Sequence, residues 1–282
     1  ALAMSAAYDL TRLMRPSRTL RRLRDGHVAS CTKLNLADAR VADIAAAAGF
    51  DCIWVDLEHV PNTLYDIEQQ VRAAKAFDVD VMVRVNKGSY SDLVRPLELD
   101  AAGIMVPHVM SHAEAEQIAR QTRFHPIGRR ALDGGNADAA YTVLPTEAYV
   151  EQANRERFVV IQIEDPEPLE ELDAIAAVRG IDMLFFGPGD FAHALGLVGQ
   201  YDHPKILDAR RRVAEAARKH GKFAGTVGSA ESLPELVKLG YQFVSIGADV
   251  VALVEQFRAY AAAFGSASPA RTQSLYSSEQ KP

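Results

Sequence analysis

The chain has 282 residues, 48% of them hydrophobic and 24% charged, and carries a net charge of −6. That length suits one barrel domain, although it also permits two smaller ones. The negative balance argues against a nucleic-acid binder and has the wrong sign for an anionic membrane surface, while runs such as Ile44–Phe50 are too short to span a bilayer.

In chain order, Arg12, Arg15, Arg18, Arg21, Arg22 and Arg24 punctuate leucines near the start. Asp9 and Asp25 flank this stretch and no apolar core follows it. It reads as a surface helix closing the bottom of a barrel rather than as a transit peptide. Strands are predicted at Val28–Thr32, Cys52–Asp56, Val81–Val85, Gly103–Pro107, Phe158–Glu164, Met183–Gly187, Phe223–Val227 and Gln242–Gly247. Several are apolar at consecutive positions, as strands covered on both faces should be. Helical patterns lie between them at Ala37–Ala48, Leu64–Phe77, Ala113–Arg123, Pro168–Val178, Pro204–His220, Ala230–Leu239 and Asp249–Phe264. Gly49, Gly180, Gly221 and Gly240 follow helices, where a left-handed residue is wanted. Strict alternation implies a parallel sheet, and eight units imply closure into a (β/α)8 TIM barrel. The expected layout is an extension and capping helix over 1–26, a catalytic barrel over 27–265 and a flexible tail over 266–282. The stretch from Pro126 to Ala153 is longer than an ordinary connection and is read as a substrate-facing segment. The two cysteines, Cys31 and Cys52, read as buried thiols of a cytoplasmic protein.

Charged residues end several of the apolar runs, where a barrel presents its catalytic face. Glu164 and Asp190 end consecutive strands, so their carboxylates can converge on one ion. Oxygen donors with open positions suit Mg2+ or Mn2+. Asp190 also has a plain alternative, as the cap of a helix. In Asp56-Leu57-Glu58-His59, an aspartate beside a histidine can fix its tautomer for general-base work, although a surface turn explains the string equally well. Arg84, directly after Val-Met-Val, should enter the barrel mouth and needs an anion, either a substrate oxygen or Glu164. Glycines in Gly187-Pro188-Gly189-Asp190, Gly225–Ser229 and Gly247–Asp249 leave backbone donors for a carboxylate or a phosphate.

Taken together, several segments resemble one known family: Trp54-Val-Asp-Leu-Glu-His-Val-Pro-Asn62, Val83-Arg84, Ile104-Met-Val-Pro107, Gln162-Ile-Glu164, Phe186-Gly-Pro-Gly-Asp-Phe191 with Leu195-Gly196, and Ala224-Gly225. Their order and spacing are similar to those of the metal-dependent (class II) 2-oxo-acid aldolases of the HpcH/HpaI aldolase/citrate lyase family, typified by 4-hydroxy-2-oxoheptanedioate aldolase. The resemblance runs from about Leu20 to Phe264 and implies a barrel of the phosphoenolpyruvate/pyruvate-domain type. It implies that Glu164 and Asp190 ligate a divalent cation (Mg2+ or Mn2+, with Co2+ a further candidate). It implies that His59 is the catalytic histidine, Asp56 the aspartate paired with it, and Arg84 the contact to the keto oxygen of pyruvate. Gln162 then lines the same pocket, the amides of Gly189 and Asp190 cradle the pyruvate carboxylate, and Glu58 is an acid of the outer shell. Glu98 falls where the family carries an aspartate that reaches a neighbouring subunit. The implied reaction is reversible cleavage of a 4-hydroxy-2-oxo acid to pyruvate and an aldehyde by a cytoplasmic homo-oligomer, a hexamer built as a trimer of dimers, with small molecules as its only other partners. The loop after Arg130 departs from the family pattern and hints at a polar aldehyde. An acyl-CoA lyase of the malyl or citramalyl type and a non-catalytic oxo-acid-binding barrel stay open as alternatives. A Schiff-base aldolase is disfavoured because Lys33 and Lys87 lie just beyond the predicted strands.

Overall fold

A computed structural model describes residues 14–264. Eight parallel strands close into a barrel in sequence order: β1 (Ala29–Lys33), β2 (Cys52–Asp56), β3 (Asp80–Arg84), β4 (Gly103–Val106), β5 (Phe158–Ile163), β6 (Met183–Phe186), β7 (Phe223–Gly228) and β8 (Phe243–Ala248). Each lies within a residue or so of its expected bounds. The fold is a (β/α)8 barrel.

The period of two along each strand divides the core. Ala29, Cys31, Cys52, Trp54, Met82, Met105, Phe158, Val160, Phe185 and Phe243 fill the barrel interior as one buried cluster. The alternate residues, Ile53, Val55, Val81, Val83, Ile104, Ile161 and Leu184 among them, pack outward against the helices. Extending the inward parity to the last residues of β1, β2 and β3 brings Lys33, Asp56 and Arg84 to the open end of the barrel. Asp56 and Arg84 are direct partners in the β2–β3 register.

The opposite end is closed by α1 (Arg18–Arg24), whose Leu20 and Leu23 join the interior cluster. Asp80, the first residue of β3, holds α1 in place: its carboxylate accepts from Ser17 Oγ at 2.6 Å and from the Thr19 N–H at 2.8 Å. Arg18 Nε reaches Asp51 at 2.9 Å. A buried carboxylate with these donors belongs to stability, as charges at the lower face of such barrels usually do.

The outer helices are α2 (Ala39–Ala47), α3 (Leu64–Lys75), α4 (Tyr90–Glu98), α5 (His112–Thr122), α6 (Thr146–Glu156), α7 (Leu172–Ala177), α8 (Pro188–Ala194), α9 (Pro204–Lys219), α10 (Leu233–Leu239) and α11 (Asp249–Ala263). Three of them lie outside the helices read from the sequence. Pro96 interrupts the pattern of α4 and removes a helical donor, yet Ser89 and Asp92 form a capping box and Leu93, Val94 and Leu97 are buried. Helix α6 sits in a polar stretch behind Pro145 and buries Tyr149 and Ala153. Helix α8 begins inside the Gly-Pro-Gly-Asp sequence, with Pro188 at its first position.

The segment between α5 and β5 also differs from expectation. It leaves and rejoins the barrel at the closed end, where Arg123 donates to the carbonyls of Gly180 and Arg157. Between those points it lies against the outside of the neighbouring helices. The Ala131 N–H donates to Tyr90 Oη at 2.7 Å, and Arg72 Nη2 to Tyr141 Oη at 3.3 Å. A connection from helix to strand starts at the end of the barrel away from the mouth, so the length of this segment does not by itself bring it to the substrate.

Candidate active site

Asp56 is the most enclosed charge at the barrel mouth, with no exposed surface. Its Oδ1 accepts Arg84 Nε at 3.0 Å and the Glu58 N–H at 3.0 Å; its Oδ2 meets Arg84 Nη2 at 2.5 Å and Lys33 Nζ at 2.9 Å. Burial alone would raise the pKa of this carboxyl, but the guanidinium of Arg84 and then the Lys33 ammonium hold it well below the usual carboxylate range. The two cations share the Trp54 ring, Arg84 at 4.8 Å and Lys33 at 5.2 Å from its centroid. The contact between Asp56 and His59 is through the backbone alone, the His59 N–H lying 3.4 Å from Oδ1. The His59 ring is largely exposed, with Nε2 3.6 Å from Glu58 Oε2. The expected orientation of His59 by the Asp56 side chain is thus replaced by a cluster of Asp56 with Arg84 and Lys33, because two buried cations outcompete a neutral ring for one carboxylate.

Across the mouth, Glu164 follows β5 and is buried. It accepts the His108 N–H at 2.9 Å and Gln162 Nε2 at 2.7 Å. Burial, and the nearby charge of Asp190, outweigh these donors and push its pKa up to about 7. Gly187 is required beside it: a Cβ there would stand 2.6 Å from Glu164 Oε2. Asp190 lies exposed in the first turn of α8. Gln162 Oε1 is buried without a hydrogen bond.

His108, beyond the end of β4, adopts a left-handed backbone with φ of 49°. That conformation costs about 1–3 kcal/mol for a non-glycine residue and collects at functional sites. Its Nδ1 lies 2.8 Å from Asp165 Oδ2. Burial lowers its basicity, but the Asp165 hydrogen bond and the charge of Glu164 raise it further.

The structure therefore brings Asp56, Glu58 and Arg84 into one group and Gln162, Glu164 and Gly187 into another. Glu98 stands apart on α4. Burial raises its pKa, and its charged neighbours are Arg130, Asp138 and Asp133 of the long segment. Lys33, His108 and Asp165 were missed. All three sit at or just beyond strand ends, the same signal that selected Arg84. Lys33 closes β1 inside the barrel rather than lying beyond the strand, which corrects the position assumed for it. Lys87 lies outside the strands and pairs with Glu114 at 3.0 Å.

Among the described residues, no group of three or more His, Cys, Asp and Glu side chains is arranged to hold a metal ion. The pair of Glu164 and Asp190 nonetheless fits a hard divalent cation. Burial first, and then the charge of Asp190, raise the Glu164 pKa, an intervening positive charge would relieve both, and Gln162 Oε1 has no donor. Two protein oxygens with several open positions are what a Mg2+ or Mn2+ site requires.

A sequence model of the family described as HpcH/HpaI aldolase/citrate lyase matches residues 33–255. The chain is 34% identical over 263 residues to a hydroxypyruvate/pyruvate aldolase of Pseudomonas aeruginosa, covering 92% of this chain and 98% of that one. It is 30% identical over 245 residues to a 4-hydroxy-2-oxo-heptane-1,7-dioate aldolase of Escherichia coli, covering 86% and 93%. The crystal structure of an HpcH/HpaI aldolase from Desulfitobacterium hafniense superposes with a TM-score of 0.81 at 30% identity, covering 90% and 98%. With its barrel and the charged groups at its open end, the chain belongs to the HpcH/HpaI aldolase/citrate lyase family and is a carbon–carbon lyase of the aldolase kind.

Proposed function

We propose that the protein is a divalent-metal-dependent aldolase that reversibly cleaves a 4-hydroxy-2-oxo acid into an aldehyde and pyruvate, or a close 2-oxo acid such as hydroxypyruvate. The observation that carries this reading is the buried Glu164, its pKa raised to about 7 beside Asp190, at the same barrel mouth as Arg84. Glu164 and Asp190 would hold Mg2+ or Mn2+, or Co2+. Bound there, the cation supplies Lewis-acid stabilisation of charge developing on the keto oxygen. Arg84 donates N–H groups to that same oxygen. Helix α8 starts at Pro188, so the N–H groups of Gly189 and Asp190 have no partner within the helix and meet the substrate carboxylate. Gln162 lines the pocket beneath. His59, reachable from solvent and flanked by Glu58, accepts the proton of the 4-hydroxyl. The C3–C4 bond then breaks, its electron pair passes into the 2-oxo acid as an enolate, and the aldehyde leaves. Asp56 keeps its charge, buried, throughout.

The test is exchange of pyruvate methyl protons into deuterated water, followed by NMR with Mn2+ present. The wild-type enzyme exchanges them, and Glu164→Ala lowers the rate by at least about 100-fold, the scale of a lost catalytic contact. Exchange at the native rate in that variant would falsify the assignment. Product masses from aldehydes offered with pyruvate then identify the partner.

The same proposal includes a homo-oligomer, with a hexamer built as a trimer of dimers as the expected form. Helix α11 buries none of its side chains in its own chain, although Leu253, Val254, Phe257 and Tyr260 lie along it. A helix of this composition is ordinarily covered. A second copy of the chain is the covering surface proposed.

A further inference from the structure

Four charged groups share the innermost part of the barrel mouth: Lys33, Asp56, Glu58 and Arg84. Two are positive and two negative, so the cluster is neutral as it stands. Arg84 grips Asp56 through Nε at 3.0 Å and Nη2 at 2.5 Å. A guanidinium held through Nε and Nη2 on a fully buried carboxylate has its charge already balanced there, and keeps only Nη1 and one Nη2 hydrogen for another anion. Withdrawing it from an otherwise unpaired Asp56 would leave a bare buried charge. Asp56, however, has a second cation. Lys33 Nζ lies 2.9 Å from Oδ2, and its side chain is 4% exposed. Glu58 Oε2 lies 3.1 Å from Arg84 Nε, but the one hydrogen on Nε points to Asp56, and Oε2 is buried without a hydrogen bond. Arg84 thus has two acceptors: Asp56 has a second cation in Lys33, and Glu58 faces the His59 ring at 3.6 Å and the His108 ring at 3.9 Å.

We propose that Lys33 is a positioning residue: it carries the counter-charge of Asp56, so that the Arg84 guanidinium can leave that carboxylate and donate to the oxygens of the oxo-acid. This rests on the reading above, in which Arg84 meets the substrate. The chemistry of the two cations suits the division of labour. A lysine is a compact point charge that neutralises a carboxylate from one side. The planar arginine fork is the group adapted to recognising a pair of substrate oxygens. Both residues end strands and point into the same mouth, so Arg84 needs only a side-chain movement to change partners.

The test uses the full-length enzyme with Mn2+ and compares Lys33→Met, Lys33→Arg, Asp56→Asn and the double variant Lys33→Met/Asp56→Asn. The readouts are pyruvate affinity by calorimetry and KM against kcat in aldol addition. Lys33→Met should weaken pyruvate binding and raise its KM by at least about tenfold, the scale of breaking a buried charge pair. Lys33→Arg should restore both to within about threefold of wild type. In the Asp56→Asn background, where there is no charge to hold, removing Lys33 should change pyruvate affinity by less than about twofold. An equal loss in both backgrounds would mean that Lys33 touches the substrate itself, and would overturn the proposal. Borohydride trapping of pyruvate on Lys33 would overturn it in favour of a Schiff base. Circular dichroism checks the fold, and Lys33→Gln replaces the methionine variant if that one does not fold. Wild-type enzyme that binds no pyruvate overturns the functional reading and this one with it. Binding that Lys33→Met leaves unchanged overturns this one alone.

Discussion

In the proposed mechanism, Glu164 is the residue at which folding and function pull against each other. Its folded pKa of about 7 lies above the ordinary 4.5. A carboxyl raised on folding lends stability while it is protonated, and that stability is lost as pH rises from the unfolded value through the folded one. The metal-free protein should therefore lose stability between about pH 4.5 and 7, by on the order of 3 kcal/mol if this group acts alone. Divalent metal should restore it above pH 7, where the ligand is ionised. Thermal midpoints at pH 5 and pH 8, with and without Mn2+, check both halves; a metal-free midpoint that rises across this range would contradict the assignment. Gly187 supports the same carboxylate by leaving it room. A methyl there meets Glu164 Oε2 at 2.6 Å and its Cβ at 2.8 Å, so Gly187→Ala should weaken metal binding by about 10–100-fold, the usual cost of disturbing a ligand's support. Calorimetric titration with Mn2+ measures it. Glu164 itself was legible from the sequence because a charge after a six-residue run with five apolar members is conspicuous. The partners of Asp56 were not legible, since Lys33 and Arg84 lie far from it along the chain while His59 lies close.

At the scale of elements, the strands were the easiest to read. Each is a short apolar run between turn residues, and burial on both faces leaves little room for ambiguity. Two of the three missed helices share a cause. In α4 and α6, proline and polar residues hide a narrow buried stripe that only the packed neighbour reveals. The segment leading to α6 is held by a buried ion pair, Arg130 Nη2 to Asp138 Oδ2 at 2.8 Å, with Tyr149 Oη donating to the same oxygen at 2.7 Å. The guanidinium also covers the Phe124 ring at 4.7 Å. Arg130→Met leaves Asp138 buried with the tyrosine as its hydrogen-bond donor and should cost about 3–5 kcal/mol, read from urea unfolding. A loss below about 1 kcal/mol would show that the segment is not fastened there.

For the whole molecule, the unburied side chains of α11 bear on assembly. Phe257 is 61% exposed and Tyr260 59% in the single chain. If a second copy covers α11, as proposed, Phe257→Glu should give smaller species than the wild type, as measured by light scattering at micromolar concentration, with the barrel still folded. An unchanged mass would remove α11 from the interface. The sequence by itself determined the barrel, because β–α alternation with eight apolar strands admits few closed arrangements. It also marked the end proposed for the chemistry, since charges close the strands there. Only the tertiary structure decided which of those charges pair. Lys33, Asp56 and Arg84 come from three strands, and their meeting depends on register and inward parity around the barrel. Only the folded chain, likewise, carried the long segment outward to α3 and α4 and set Glu98 among its charges. Local pattern tells which face of an element is buried; what it is buried against is a relation between distant parts of the chain, and packing alone supplies it.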